Sequence, residues 1–257
     1  MRVVSLACSN TEIVCALGAA ELLVGVDDHS DYPAEVVGRL PRVGPDLSVD
    51  IDRIAALKPD LVLASLTVPG HERNVAALAA RGLPFIAPEP RRLLDVYDDI
   101  HLIGRALERS AEADALVQSM QADITPELGG ELPSVLVEWW PKPVIAPGRE
   151  SWVTDLLRAA GGRNPLAERD VKSTPLSDDE LRALDPEAVV ICWCGVRFEK
   201  YRPDVVQRRP ALQGGTALRR GNVFCIPEAY LGRPGPRLVE GFRALSAVVR
   251  SCLERRG

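Results

Sequence analysis

The chain carries the stretch Leu57-Lys58-Pro59-Asp60-Leu61-Val62-Leu63, which ends a short helical pattern and opens an apolar run. The same arrangement returns 127 positions later as Leu184-Asp185-Pro186-Glu187-Ala188-Val189-Val190. Because each copy joins a helix to a buried strand, the repeat predicts two lobes of similar build. The same offset carries Glu72 onto Glu199, so an acidic residue follows the matching strand in each half. Two such carboxylates suit a partner with two-fold symmetry, and a groove between the lobes suits a ligand.

The bulk composition is that of an ordinary globular protein. Of 257 residues, 46% are apolar and 26% are charged, which gives each lobe enough material for a core. The net charge of -5 leaves no basic surplus to neutralise phosphates, so nucleic acid is excluded as an expected partner. No apolar run approaches the roughly 18 residues that cross a bilayer, so the chain is not expected to span a membrane.

The first residues bear on the compartment. Residues 3–6 already have the pattern of a strand, and no basic segment, long apolar segment or cleavage site precedes them. The sequence as written therefore predicts a cytoplasmic protein. A periplasmic or extracellular location is the alternative, if the sequence is trimmed or its start is misassigned.

Short apolar runs alternate with helical periods in both halves. This alternation predicts parallel strand pairing through right-handed crossovers, and hence an α/β fold with mostly parallel sheets. Two capping boxes, Ser9 to Glu12 and Ser177 to Glu180, are expected to begin helices. Strands are predicted at residues 3–6, 22–26, 61–64, 85–87, 135–139, 189–193 and 223–226.

A long helical pattern separates the halves. Apolar residues recur at helical spacing from residue 92 to 128, with a break near Ser110, which predicts one connecting helix. The predicted domains are an N-terminal α/β lobe at 1–90, this connecting helix at 91–128, and a C-terminal α/β lobe at 129–257.

Ligands of open α/β sheets collect beyond the carboxyl ends of the strands, where loops and helix starts converge. In the second half this edge is predicted to be rich in aromatic side chains, which suit a large flat ligand. The alternative for any single tryptophan is a place in the core. The candidates at strand ends and helix starts are Cys8, Ser9, His29, Tyr32, Leu66, Trp139, Trp152, Trp193 and Tyr230.

Other chemistry has weaker signals. Cys192 and Cys194 lie on one face of a strand and suggest a soft-metal site, but two ligands are too few. His29 and His71 flank the predicted edge, where an imidazole would coordinate a metal-containing ligand axially. Cys8 near a helix start, with His29 as base, is the hypothesis of a cysteine-nucleophile enzyme. The GxSxG, GxGxxG, GxxxxGK[ST] and HExxH motifs are absent from the sequence.

Several segments, taken in order along both halves, form one set. In the first half they are residues 4–13, the turn Asp31-Tyr32-Pro33, residues 56–62 and Glu72. In the second half they are Glu138-Trp139, Trp152-Val153, Ala160-Gly161-Gly162, residues 184–187 and residues 233–238. Taken together in this order, they resemble the cobalamin-binding substrate-binding proteins of ABC importers, a branch of the helical-backbone metal receptor superfamily.

The resemblance implies a non-enzymatic binding protein with two three-layer α/β lobes joined by a single long backbone helix, a class III periplasmic-binding-protein-like fold. It implies a monomer without covalent cofactor that holds cobalamin or another corrinoid in the inter-lobe cleft. Contacts to the corrin ring are expected from Tyr32, Leu66, Trp139, Trp152, Trp193 and Tyr230. Contacts to its polar side groups are expected from Ser9, Asn10, His29 and Arg233.

The resemblance also gives the repeated acids a role. It implies that Glu72 and Glu199 dock into arginine pockets of an ABC permease dimer, since guanidinium binds carboxylate in a selective fork. A favourable helix dipole would explain either glutamate alone, but not their shared offset.

Two positions depart from the family pattern and leave the ligand open. Cys8 stands where proline is common, and Leu66 stands where a ring-stacking tryptophan is found. The alternatives are haem or a ferric siderophore in the same cleft, and an anionic siderophore would call for Arg149, Arg197 and Arg233. A protein-interaction module with a vestigial cleft is the remaining alternative.

Overall fold

The computed structural model describes residues 1–126, 129–130 and 132–256. The chain divides into two compact units. The first unit contains Met1–Pro90 and Asp95–Met120, and the second contains Arg91–Leu94 and Gln121–Gly257. This division assigns most of the segment predicted as a connecting helix, residues 91–128, to the first unit.

The first unit is built on a four-stranded parallel sheet. Its strands are β1 (Val3–Ser5), β2 (Leu23–Val26), β3 (Leu61–Leu63) and β4 (Phe85–Ile86), in the order β2-β1-β3-β4. The helices of this half are α1 (Cys8–Ala16), α2 (Ala34–Val37), α3 (Ile51–Ala56), α4 (His71–Ala80), α5 (Leu93–Ala106) and α6 (Ser110–Asp123). Val4, Val62, Ile54 and Leu78 belong to its core, which lies between the sheet and the helices.

The second unit contains two sheets. Strands β5 (Val135–Glu138), β9 (Ala188–Ile191) and β10 (Val223–Cys225) form a parallel sheet in the order β10-β9-β5. Strands β6 (Trp140–Pro141), β7 (Val144–Pro147) and β8 (Ser173–Leu176) form an antiparallel sheet. The helices are α7 (Trp152–Ala159), α8 (Asp178–Leu184), α9 (Pro203–Gln207), α10 (Thr216–Arg219), α11 (Glu228–Leu231) and α12 (Leu238–Glu254). The predicted α/β class with mostly parallel sheets is confirmed.

The segment predicted as one connecting helix forms two. Helix α5 ends at Ala106 and α6 begins at Ser110, and Glu108 between them adopts a left-handed conformation with φ of 58°. The helices approach closely at Gly104, where an added Cβ would lie 2.5 Å from the Cβ of Ala113. The apolar period continues through the turn because each helix has an apolar face of its own.

The two predicted capping boxes have different outcomes. Ser177 and Glu180 form a complete box, in which the Glu180 amide donates to Ser177 Oγ at 3.2 Å and the Ser177 amide donates to Glu180 Oε2 at 2.9 Å. The prediction at Ser9 is wrong, since α1 begins at Cys8, after Ala7, two residues earlier than a cap at Ser9 requires, and has no side-chain cap. The polar residues there are buried instead, and the Asn10 amide donates to the carbonyl of Ala64 at 2.7 Å.

The sequence repeat is also a repeat of backbone geometry. Lys58 and Asp185 occupy equivalent positions, and both adopt positive φ, at 48° and 35°. Two residues later, the Asp60 carboxylate accepts the amide of Arg2 at 2.6 Å, and the Glu187 carboxylate accepts the amide of Ser134 at 3.2 Å. Each acid therefore ties the start of its strand to the chain entering the neighbouring strand.

We expect this pair of positions to respond in opposite ways to glycine. Left-handed backbone costs an ordinary residue about 1 kcal/mol that glycine does not incur, so Lys58→Gly should raise the free energy of unfolding by about 0.5–1 kcal/mol. Asp185 also accepts the Thr216 amide and hydroxyl, both at 2.7 Å. The loss of these two hydrogen bonds should outweigh the backbone strain that glycine removes. Asp185→Gly should therefore lower the free energy of unfolding by about 1 kcal/mol. Urea denaturation of both variants measures the difference.

The pH dependence provides the control. The Thr216 amide hydrogen bond is the main cause that lowers the pKa of Asp185. This stabilisation is present at neutral pH and is lost as the pH falls from the ordinary carboxyl range through the lowered pKa. The loss of unfolding free energy caused by Asp185→Gly should therefore become smaller in acid. The increase caused by Lys58→Gly should stay the same. Equal effects of the two substitutions at neutral pH would contradict this explanation.

Candidate functional site

In the first unit, the loop after β2 is anchored by a buried carboxylate. Asp27 is fully buried and accepts the His29 amide at 2.9 Å and the Ser30 hydroxyl at 2.5 Å. Burial raises the pKa of Asp27, and its hydrogen bonds oppose that shift. The Ser30 hydroxyl lies 2.9 Å from the Thr11 hydroxyl of α1, so the loop is tied to the helix beside it. These bonds hold the backbone of His29 in place at the carboxyl end of the sheet.

Asp46 lies between two imidazoles in this unit. Its Oδ1 is 3.5 Å from His29 Nε2, and its Oδ2 is 3.6 Å from His71 Nε2. The imidazole of His71 is the main cause that lowers the pKa of Asp46, and His29 also contributes. The His29 side chain is 55% exposed and that of His71 only 4%. The 3.6 Å contact between His71 and Asp46 is longer than a hydrogen bond, so neither ring nitrogen of His71 has a hydrogen-bond partner in the described part of the chain.

Apolar side chains stand exposed in the same three loops. Tyr32 is 48% exposed, Leu47 46% and Val68 40%, although large apolar groups are usually covered. Tyr32 lies three residues after His29, Leu47 directly follows Asp46, and Val68 lies three residues before His71. His29, Asp46 and His71 form an imidazole–carboxylate cluster, and each of the three loops combines one of its members with an exposed apolar group. Such a mixed patch suits a ligand with an apolar body and a polar or metallic centre.

The other predicted residues of this unit are less exposed. Ser9 is buried, and the Asn10 amide is used to bind the end of β3. Leu66 is partly buried, and its backbone amide donates to the carbonyl of Pro88 at 2.9 Å. Cys8 is the first residue of α1 and is partly buried.

In the second unit, Trp139 and Trp152 lie side by side. Their ring centroids are 6.2 Å apart. Trp152 is buried and donates its indole NH to the carbonyl of Leu231 at 2.7 Å, whereas Trp139 is partly exposed. The indole nitrogen of Trp139 is buried without a hydrogen-bond partner among the described residues. Trp152 therefore supports Trp139, which presents the accessible ring.

Trp193 is part of the core of the second unit. Its side chain is 5% exposed, and its indole NH donates to Glu138 Oε1 at 3.0 Å. The fully buried Glu138 also accepts two bonds from Arg209, at 2.5 and 3.0 Å. The Trp193 ring packs on Tyr201, with centroids 5.6 Å apart. Its indole group is thus engaged within the unit.

Phe198 is the exposed aromatic residue beyond β9. It is 45% exposed and packs edge-on against Tyr201, with centroids 5.3 Å apart. The sequence pattern gave no reason to prefer it to Trp193, since both follow the same strand. Trp193 is buried because it packs on Tyr201 and bonds to Glu138, which is paired with Arg209, whereas Phe198 stays exposed.

Two of the three arginines that an anionic ligand would need are paired with carboxylates, whereas Arg197 is exposed. Arg233 donates to Glu228 at 3.1 Å, and their side chains are 12% and 20% exposed. Arg149 forms an ion pair with Asp170. Tyr230 is partly exposed beside this region, with the guanidinium of Arg237 5.8 Å from its ring centroid. Pairing of Arg149 and Arg233 lowers the positive charge that these three positions offer to a polyanionic chelate.

The cysteines favour an inert role over metal binding. Burial is the main cause that raises the pKa of Cys192 well above its ordinary value, so this group remains a thiol at neutral pH. Among the residues that the structure describes, no group of three or more His, Cys, Asp or Glu side chains could hold a metal ion.

A cavity of about 230 Å³ lies elsewhere, lined by Leu181, Asp185, Leu212 and Gly215 next to the amino end of β9.

The repeated glutamates both lie on the surface. Glu72 is in the first turn of α4 and its carboxylate accepts the amide of Gly70 at 2.8 Å. Glu199 is the middle residue of a 3-10 turn at Phe198–Lys200. The two acids therefore follow equivalent strands, β3 and β9, but occupy different local structures.

Along the described residues, no helix combines the length and apolar character needed to cross a membrane.

Two α/β units with surface groups at the carboxyl ends of parallel strands define a bilobal binding protein of the periplasmic type. The periplasmic binding protein family matches residues 3–230. The chain belongs to this family.

Individual relatives support the same assignment. The uncharacterised ABC transporter substrate-binding lipoprotein YvrC of Bacillus subtilis is 29% identical over 95% of this chain and 78% of that protein. A vitamin B12-binding protein of Vibrio parahaemolyticus is 24% identical over 98% of this chain and 88% of that protein. The apo structure of the periplasmic heme-binding protein RhuT from Roseiflexus sp. RS-1 is 27% identical, with a TM-score of 0.81, and covers 100% of this chain and 99% of that one.

Proposed function

We propose that this protein binds cobalamin or a related corrinoid as the substrate-binding component of an ABC importer. The observation that carries the ligand class is the combination of exposed apolar groups at strand ends with the pairing of Arg149 and Arg233 to carboxylates. A flat, weakly charged metal chelate matches such surfaces, whereas an anionic siderophore would meet Arg149 and Arg233 already bound to carboxylates. The names of relatives include both vitamin B12 and heme. Haem is the second candidate, and the imidazole of His29 beside Asp46 favours it.

The residues divide into contacting and supporting groups. We assign ring contacts to Tyr32, Leu66, Trp139 and Tyr230, which are exposed or partly exposed. Trp152 supports the ring of Trp139, and Trp193 is assigned to the core of the second unit, where its indole NH bonds to Glu138. Among the predicted polar contacts, His29 is exposed and is assigned a direct contact. Ser9 is buried, Asn10 bonds to the end of β3 and Arg233 is paired with Glu228, so these three are assigned supporting roles within their own units.

The partner in this proposal is a permease dimer. Exposed Glu72 and Glu199 are assigned to docking, because a carboxylate presented at the surface can enter an arginine pocket without rearranging its own lobe. The family and the names of relatives favour the periplasmic or extracellular alternative for the compartment.

A ligand titration tests the proposal. We expect cyanocobalamin or dicyanocobinamide to bind at micromolar concentration or below, measured by calorimetry, and ferric hydroxamates to give no heat. Trp139→Ala should weaken binding at least about tenfold, since one aromatic contact is worth about 1.5 kcal/mol. Trp140→Ala is the matched control, because the neighbouring indole lies on β6 and donates to the carbonyl of Lys142. The proposal would be contradicted if no corrinoid and no haem bound, or if a ferric hydroxamate bound more tightly than either.

A further inference from the structure

The turn after β9 presents four exposed side chains in a row. Arg197, Phe198, Glu199 and Lys200 all lie on the surface, and the last three form the 3-10 turn Phe198–Lys200. The Phe198 ring is 45% exposed, although phenylalanine is among the residues that folding usually covers. Burial in the core of the second unit therefore does not account for this ring.

The backbone of the turn holds the ring in a fixed position. The Lys200 amide donates to the carbonyl of Arg197 at 2.9 Å, and the Tyr201 amide donates to that of Phe198 at 3.0 Å. Residues three apart in a 3-10 turn lie on the same side, and the Phe198 ring packs edge-on against Tyr201. Tyr201 is only 8% exposed and donates its hydroxyl to the carbonyl of Trp193 at 3.1 Å. A partner therefore meets a ring that is already ordered, so binding costs little side-chain entropy.

The charges of the turn remain for an external partner. Nearby, Arg202 and Asp204 pair with each other at 3.1 Å. Arg197, Glu199 and Lys200, by contrast, have no ion-pair partner among the residues that the structure describes. One carboxylate thus stands between two cations. A complementary surface carries a basic group opposite Glu199 and carboxylates opposite the two cations.

This pattern favours a protein partner over a lipid surface or a second copy of the chain. Anionic lipid headgroups would attract Arg197 and Lys200 but repel the carboxylate between them. A second copy would match the charges, but a four-residue turn alone buries far less than the roughly 800 Å² per partner of a stable interface. The proposed permease also meets Glu72, so this turn would be one part of a larger contact. An aromatic ring beside an arginine is typical of the few residues that carry most of the free energy of binding between proteins.

The ring also distinguishes the second unit from the first. By the 127-residue offset that matches Glu199 to Glu72, Phe198 corresponds to His71. The His71 side chain is only 4% exposed, so this position of the first unit is closed to a partner. The two repeated acids are therefore equivalent in sequence but unequal as docking points.

We propose that Phe198 is the apolar anchor through which the second unit docks on its protein partner, entering an apolar pocket beside the basic group that binds Glu199. The partner is the permease of the proposed importer, so this inference rests on the proposed function. It adds a contact residue outside the ligand site. It also assigns Arg197 and Lys200 to carboxylates on the rim of the same pocket.

Photo-crosslinking tests the contact directly. The whole chain carrying benzoylphenylalanine at position 198 is irradiated with membranes of the native organism, and the crosslinked protein is identified by mass spectrometry. We expect a crosslink to the membrane-spanning subunit of an ABC permease. The matched control carries the same group at position 140, because Trp140 is 43% exposed in the same unit but is followed by Pro141 instead of an acid of the repeat. This control should give no crosslink to that subunit.

Competition by unlabelled variants measures what the ring contributes. Phe198→Ala should require at least about tenfold more protein than the native chain to block the crosslink, as the loss of an aromatic anchor does. Phe198→Leu should require less than about threefold more, since leucine still fills an apolar pocket. Trp140→Ala should compete like the native chain. Calorimetry with cyanocobalamin should give the native affinity for Phe198→Ala and Phe198→Leu, and circular dichroism checks that all variants fold.

The outcomes separate the docking contact from the ligand site. The proposal is overturned if Phe198→Ala competes as well as the native chain, or if it loses affinity for cyanocobalamin, which would place the ring in the ligand site. A crosslink from position 198 to a second copy of the chain or to lipid would also overturn it. If the native chain binds no corrinoid and no haem, the proposed function fails, whereas a crosslink to a permease subunit would still support the docking contact.

Discussion

Replacing Glu72 and Glu199 together by alanine is expected to abolish import while leaving ligand affinity unchanged. Both carboxylates lie on the surface, one on α4 and the other on a 3-10 turn, so their removal should not disturb either core. Removing a carboxylate from a desolvated arginine pocket costs about 2–5 kcal/mol, much of it because the arginines are left unpaired. Each single variant should therefore reduce uptake more than about tenfold, and the double variant more than about a hundredfold.

The first measurement is uptake of labelled ligand by cells of the native organism in which the variant gene replaces the native gene. The second is calorimetry of ligand binding to the purified variant. Glu35→Ala is the matched control, since Glu35 is an exposed acid in the first turn of α2. It shares the favourable helix position of Glu72 but has no place in the repeat. Native uptake by the double variant would remove the docking assignment. Loss of ligand affinity would instead place the carboxylates in the binding site.

The second large effect is expected at the buried ion pair of the second unit. Arg209→Met should lower the free energy of unfolding by about 3–5 kcal/mol, because it leaves Glu138 buried without its counter-charge. Glu138 is fully buried, and Arg209 supplies two of its hydrogen bonds. The double variant Glu138→Leu with Arg209→Met should recover most of this loss, since it buries no unpaired charge. Trp193 would then lack an acceptor for its indole NH, so recovery should be incomplete.

An exposed pair provides the control for this prediction. Arg202 and Asp204 lie 3.1 Å apart, and the Arg202 side chain is 68% exposed. Arg202→Met should change stability by less than about 1 kcal/mol, as is usual for surface pairs. Guanidinium denaturation of the three variants, followed by near-ultraviolet circular dichroism of the tryptophans, gives the comparison. A loss at Arg209→Met no larger than at Arg202→Met would show that the buried pair is not a structural anchor.

Elements with a strong local signal were predicted well. The alternation of strands and helices placed the parallel strands within a residue or two of their observed ends, because each apolar run is short and bounded by turn residues. The capping box at Ser177 formed, since its partners are exposed and free to bond each other. The box at Ser9 did not form, because the neighbouring polar residues bond to strand β3 and to the loop after β2.

Elements that depend on distant partners were missed. The antiparallel sheet pairs Val144 with Leu176 and Pro147 with Ser173, and its strands are short and contain proline. Such strands have little propensity of their own and form because a partner about thirty residues away supplies the hydrogen bonds. The turn between α5 and α6 was hidden for a similar reason, since the close approach of Gly104 and Ala113 is a packing feature.

The candidate site shows the same division. Strand ends located the loops that carry His29, Tyr32 and Trp139, because strand direction alone decides where those loops emerge. Sequence did not single out Asp46, whose importance comes from two histidines 17 and 25 positions away on either side. Nor did it rank Phe198 above Trp193, which an ion pair spanning 71 positions holds in the core.

The sequence by itself determined that this chain has two related α/β lobes with acids at equivalent positions after β3 and β9. It could do so because periodicity, turn residues and an internal repeat are written within stretches of about ten residues. Only the tertiary structure decided which side chains of each lobe face outward. A side chain at a strand end turns towards the core or the solvent according to buried partners such as Glu138 or Asp46, and those partners meet it only after the chain has folded.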